Sequence, residues 1–144
     1  MPDSTANPPD LKARGGRSRP RILAVVNPGE DLRLVKGGLE AGGMECHIGQ
    51  DGATALSILA DKPMDVVILE EMMPQMDGYE VFRRIKGSEG TRDIPVIFLT
   101  AKWEPRDRLG EFDWGAHDYV HKPIEPQELL ARTQAALRVK WLQD

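Results

Sequence analysis

Asp65-Val66-Val67-Ile68-Leu69-Glu70-Glu71-Met72-Met73-Pro74-Gln75-Met76-Asp77-Gly78 is an apolar run that ends on a carboxylate and passes into a turn. Val66 to Leu69 are apolar without alternation, which is what a strand needs when helices cover both faces of a parallel sheet. Glu70 stands at the exit of that strand. In open parallel α/β sheets, ligands and chemistry collect beyond the carboxyl ends of the strands. Glu70 is therefore the first candidate functional residue.

Working outward, short apolar runs alternate with amphipathic stretches five times. Residues 22–26, 44–48, 64–69, 96–99 and 119–120 are expected as strands, and 31–40, 53–61, 79–86, 106–114 and 127–141 as helices. Asp51-Gly52 and Pro126 sit where helices should start, and Gly42-Gly43, Gly87 and Gly115 where they should stop. Gly37 and Gly38 fall inside the first helix and weaken it by about 1 kcal/mol each relative to alanine. Strands joined by right-handed helical crossovers give a doubly wound α/β sandwich of five units.

A chain of 144 residues with 40% apolar content suits one well-cored domain. Residues 1–19 hold Pro2, Pro8, Pro9, Gly15, Gly16 and several Arg and Ser without apolar periodicity, and are expected to be a disordered tail. The net charge of -4, with acidic and basic residues dispersed, gives no footprint for nucleic acid. A single cysteine, Cys46, excludes an internal disulfide, suits a reducing compartment and is expected as core filler. No apolar run reaches the ~18 residues that span a bilayer. A cytoplasmic domain that uses neither membrane nor DNA is expected.

The strand exits bring Val26-Asn27, Glu70, Thr100 and Lys122 to one edge. A carboxylate, a hydroxyl and an ammonium converging there is an arrangement suited to a phosphoryl group: nucleophile or metal ligand, oxygen holder and charge neutraliser. Glu71, next to Glu70, is expected to point away from the crevice to a solvated face. Asp77 is expected to cap the third helix. His47, His117 and His121 show no metal-ligand spacing and are assigned no role.

In order, Pro20-Arg21-Ile22-Leu23-Ala24-Val25, the loop from Glu70 to Gly78, Ile94-Pro95-Val96-Ile97-Phe98-Leu99-Thr100-Ala101 and Gly115-Ala116-His117-Asp118-Tyr119-Val120-His121-Lys122-Pro123 resemble the receiver domain of two-component response regulators. The resemblance covers residues 20–141. It implies a flavodoxin-like five-stranded parallel sheet of order 2-1-3-4-5. It also makes Glu70 the equivalent of the phosphoacceptor, Val26 and Asn27 of the acidic pocket, Thr100 and Lys122 of the phosphate-sensing pair and Tyr119 of the switch aromatic, with a cis bond before Pro123.

The departures are chemical. Where the family has two acidic residues, this chain has Val26, which offers no ligand, and Asn27, which offers a neutral amide. Magnesium, which takes hard oxygen ligands in octahedral geometry, is expected to bind weakly or not at all. Glu70 replaces the usual aspartate and carries its carboxylate about 1.5 Å further, one carbon–carbon bond. In-line phosphoryl transfer is sensitive to displacements of ~1 Å. There Glu70 could meet Lys122 and Thr100. It is either a partial mimic of a phosphoryl group, which carries about -1.5 to -2 charge, or half of a plain ion pair in an inert site.

The expected function is therefore an atypical, non-enzymatic receiver that signals by protein contact, with no catalytic or metal-ligating residue assigned. The expected surface combines the helix over 106–114, flanked by Trp103 and Trp114, with the fifth strand and the last helix. A histidine kinase, an output domain or a second copy could engage it. The last helix resembles a linker toward an output module. Two further readings stay open: a receiver still phosphorylated by a kinase or small donor, and a flavin or nucleotide binder on the same topology. The latter lacks a Gly-rich phosphate loop, Asn27-Pro28-Gly29 standing in that place.

Overall fold

In the computed structural model, residues 19–71, 78–101 and 116–143 are described. The expected helix over 106–114, Trp103, Trp114, Gly115, the Asp77 cap and the N-terminal tail up to residue 18 lie outside them. The elements run β1 (Arg21–Val25), α1 (Glu30–Ala41), β2 (Glu45–Gly49), α2 (Gly52–Asp61), β3 (Val66–Glu70), α3 (Gly78–Lys86), β4 (Val96–Thr100), β5 (Asp118–His121) and α4 (Pro126–Gln143). The five strands form one sheet of order β2-β1-β3-β4-β5, and every pairing is parallel. This is the doubly wound topology the strand pattern predicts. The strands differ from expectation by a residue or two at their ends, where ladder hydrogen bonds and not hydrophobicity set the limit.

Alternation through the sheet divides the core into two layers. Ile22, Ala24, Ile68 and Leu99 face α1 and α4 and pack with Leu39, Leu129 and Leu137. Leu23, Leu69 and Phe98 face α2 and α3 and pack with Ala55, Phe82 and Ile85. Every residue of β3 and β4 is buried. The central strands therefore have no solvent face, which governs what happens at their polar ends. Cys46 is half-buried against the first layer, and loss of solvation pushes its thiol pKa up to about 11, as suits packing and not reactivity.

Helix ends follow local chemistry. The Asp51 carboxylate accepts the Thr54 N–H at 2.8 Å, an N-cap on α2. The chain leaves α1 through Gly43, whose φ of 83° is open mainly to glycine. α1 forms despite its paired glycines, and the two play different parts. A Cβ on Gly38 would lie 3.1 Å from both Cβ and the carbonyl oxygen of Pro126, so this glycine lets α1 close on the start of α4; a Cβ on Gly37 would meet nothing within 4 Å. Gly37→Ala is expected to raise stability by about 1 kcal/mol through helix propensity. Gly38→Ala is expected to lower it by about 1 kcal/mol, crowding outweighing the same gain. Urea unfolding of the two variants checks the opposite signs.

Candidate functional site

Because all strands are parallel, β1, β3, β4 and β5 deliver their last residues to one edge, and the crevice is assembled there. Register sets Val25 beside Leu69, Glu70 beside Leu99 and Thr100 beside His121. Glu70 is 4% exposed. Its Oε1 accepts the backbone N–H of Asn27 at 3.0 Å, and its Oε2 accepts Lys122 Nζ. Both carboxylate oxygens thus have donors from this chain, one from the exit of β1 and one from beyond β5. The Lys122–Pro123 peptide is cis.

Lys122 also reaches Asp31 Oδ2 at 3.1 Å. Sequence reasoning missed Asp31 because it followed strand exits only. The signal was present: a helix that follows a strand starts at the sheet's carboxyl edge, so Glu30-Asp31, in the first turn of α1, stand beside the crevice. Lys122 is held between two carboxylates of different elements. Burial pulls its pKa down, but hydrogen bonds and charge from Glu70 and Asp31 outweigh that and leave it above the ordinary lysine value.

Thr100 does not meet Glu70. Its hydroxyl, 1% exposed, donates to Glu71 Oε1 at 2.7 Å. The second oxygen of Glu71 accepts the Tyr79 hydroxyl at 2.5 Å. The expectation that Glu71 is solvated is therefore corrected: it does point to the opposite side of β3 from Glu70, but that side lies under α3, and Glu71 is 3% exposed. A carboxylate buried there needs donors, which Thr100 and Tyr79 provide. The Tyr79 ring packs on Phe98 with centroids 5.0 Å apart. Phe98 stacks on Tyr119 at 6.0 Å and 12° between planes. Tyr119 is 6% exposed, so its ring lies inside the second core layer.

Val26 is fully buried in the first layer. Among the described residues, no group of three or more His, Cys, Asp or Glu is placed to hold a metal ion. His47, which the sequence assigns no role, lies 2.6 Å from Glu45 Oε2 on the edge strand β2, away from the crevice.

Comparison with known proteins agrees with this architecture. The family model described as response regulator receiver domain matches residues 29–134. The chain is 38% identical over 117 residues to the phosphate regulon transcriptional regulatory protein PhoB of Pseudomonas aeruginosa, covering 81% of this chain and 51% of that protein. It is 38% identical over 124 residues to response regulator PleD of Caulobacter vibrioides, covering 86% of this chain and 27% of that protein. The chain thus spans about half the length of these curated relatives, or less. Among solved structures it resembles Vibrio cholerae chemotaxis protein CheY4, with a TM-score of 0.76 and 27% identity over 83% of this chain and 100% of that one. It also resembles the receiver domain of sensor histidine kinase PA1611 from Pseudomonas aeruginosa, solved with a magnesium ion in its active site cleft, with a TM-score of 0.76 and 26% identity over 84% of this chain and 99% of that one. With sheet order and sequence in agreement, the chain belongs to the response regulator receiver domains of two-component signal transduction.

Proposed function

We propose that this receiver signals through protein contacts without a phosphorylation cycle, Glu70 supplying a permanent charge where the family carries a reversible one. The observation that carries this reading is that both oxygens of Glu70 are engaged, one accepting Asn27 N–H and the other Lys122 Nζ. An incoming phosphoryl group would have to displace a lysine that is also tied to Asp31. It would do so without the ion that usually neutralises its charge. Magnesium does not fit the residues present: Val26 offers no oxygen, Asn27 only an amide, and Glu70 is committed. The relative from Pseudomonas aeruginosa that holds magnesium in its cleft marks the contrast.

The state held in this way has Lys122 drawn to Glu70 and Tyr119 packed inward on Phe98. The surface offered to a partner includes β5 and α4. A histidine kinase, an output domain or a second copy is the class of partner that fits, and a cytoplasmic setting suits each of them. No described helix is long and apolar enough to cross a membrane.

The test is incubation with acetyl phosphate and magnesium followed by intact-mass analysis, with Glu70→Asp beside it. The native chain is expected to gain no phosphoryl mass. A stable gain of one phosphoryl unit on Glu70 overturns the proposal and favours a receiver that still cycles. Glu70→Asp alone is expected to stay unmodified too, since Val26 and Asn27 still leave the metal without its pocket.

A further inference from the structure

Two adjacent carboxylates at the end of β3 go to opposite faces of the sheet and each takes one group from the crevice edge. Glu70 takes the ammonium of Lys122, and Glu71 takes the hydroxyl of Thr100. A threonine hydroxyl has a single proton to donate. While that proton lies on Glu71, Thr100 cannot donate to an anion on the Glu70 side, and a phosphoryl group or its beryllofluoride analogue offers acceptor atoms only. Hydrogen bonds to an ionised acceptor in a buried place are the strong ones. Glu71 also holds Tyr79 at the start of α3, whose ring packs on Phe98, which in turn stacks on Tyr119.

The geometry points to Glu71 as a positioning residue that withdraws Thr100 from the crevice, so that Thr100, Tyr79 and Tyr119 are set from inside the sheet and do not respond to charge at position 70. The inference goes beyond the proposal above: that proposal concerns whether charge at the crevice changes, and this one whether Thr100 and Tyr119 would follow such a change.

The experiment separates the two. Val26→Asp, Asn27→Asp and Glu70→Asp are combined to restore an acidic pocket, with and without Glu71→Leu, and each protein is titrated with beryllofluoride and magnesium. Bound beryllofluoride is read by fluorine NMR, and coupling by the Thr100 methyl and Tyr119 ring signals. With Glu71 present, beryllofluoride is expected to bind while the Thr100 and Tyr119 signals stay in place. With Glu71→Leu added, both signals are expected to shift on binding. Equal shifts with and without Glu71 overturn the inference.

If the restored pocket binds no beryllofluoride, the account of Mg2+ loss given above fails, and this inference is decided in the otherwise native chain. There Glu71→Leu is expected to displace the Thr100 and Tyr119 signals, whereas Glu71→Gln, which keeps an acceptor oxygen, leaves them near their native positions. Should Glu71→Leu fail to fold, Thr100→Val removes the same hydrogen bond from the other end and must displace Tyr119. Unmoved Tyr119 signals overturn the inference in either variant.

Discussion

Lys122→Met is expected to destabilise the domain by about 3 kcal/mol, the low end of the cost of breaking a buried ion pair from one side. The Glu70 side chain is 6% exposed and that of Lys122 is 26% exposed. Removing the lysine therefore strands a charge that water reaches poorly, with the Asn27 N–H as the donor left to it. Asp31, 31% exposed, can rehydrate and contributes less. The low end is chosen because Lys122 itself is partly solvated and a water can enter its place. Adding Glu70→Gln should recover most of the loss, because the amide oxygen still accepts from Asn27 and no charge is left behind. A double-mutant cycle in urea reads that coupling. A single-variant cost below about 1 kcal/mol would class the pair with surface bridges and remove the idea that it clamps the crevice.

The same pair sets an alkaline limit. Its partners raise the folded pKa of Lys122 above the ordinary lysine value, so the folded state binds this proton more tightly than the unfolded chain does. That contribution is complete below the unfolded pKa of about 10.4. It is lost as pH rises through the higher folded value. Stability should therefore be level with respect to this group through neutral pH and fall in the alkaline range. The fall should be smaller in the Glu70→Gln, Lys122→Met protein. Chemical denaturation at a series of alkaline pH values measures it.

How much of this was readable from residues alone depended on which rule applied. Uninterrupted apolar runs at β3 and β4 announce strands buried on both sides, whereas the strand order is implied by the resemblance to the family. The meeting of Glu70 and Lys122 was legible because parallel strands must deliver their exits to one edge. Glu71 is half legible: alternation sends it to the other face, but the solvated surface expected there does not exist, because a strand covered on both sides has none. A carboxylate arriving there enters the second core layer and must recruit Thr100 and Tyr79. No local pattern carries that information, since it arises from the β3–β4 register and from where α3 begins. Asp31 was hidden for a related reason: its role comes from a helix start and not from a strand exit.

Gly78→Ala is expected to be at least as costly as the loss of Lys122, because the obstruction is backbone. Gly78 is buried at the first position of α3, and its N–H donates to the Glu71 carbonyl at 2.8 Å. A Cβ there would sit 2.3 Å from the Glu70 carbonyl oxygen and 3.1 Å from both Cα and the carbonyl oxygen of Glu71. No rotamer change relieves such contacts. Either α3 moves away from the sheet, exposing Val81, Phe82 and Ile85, or the exit of β3 moves with the two carboxylates it carries. Overpacking of this kind costs about 3 kcal/mol or more when the neighbours cannot yield. The distinguishing consequence is positional: both the Lys122–Glu70 and the Thr100–Glu71 contacts should be disturbed together, visible as simultaneous shifts of the Lys122 and Thr100 NMR signals. A variant within about 0.5 kcal/mol of the native chain, the range of an ordinary surface change, would mean that the start of α3 yields freely. The carboxylates at the end of β3 would then be held by their hydrogen-bond partners alone.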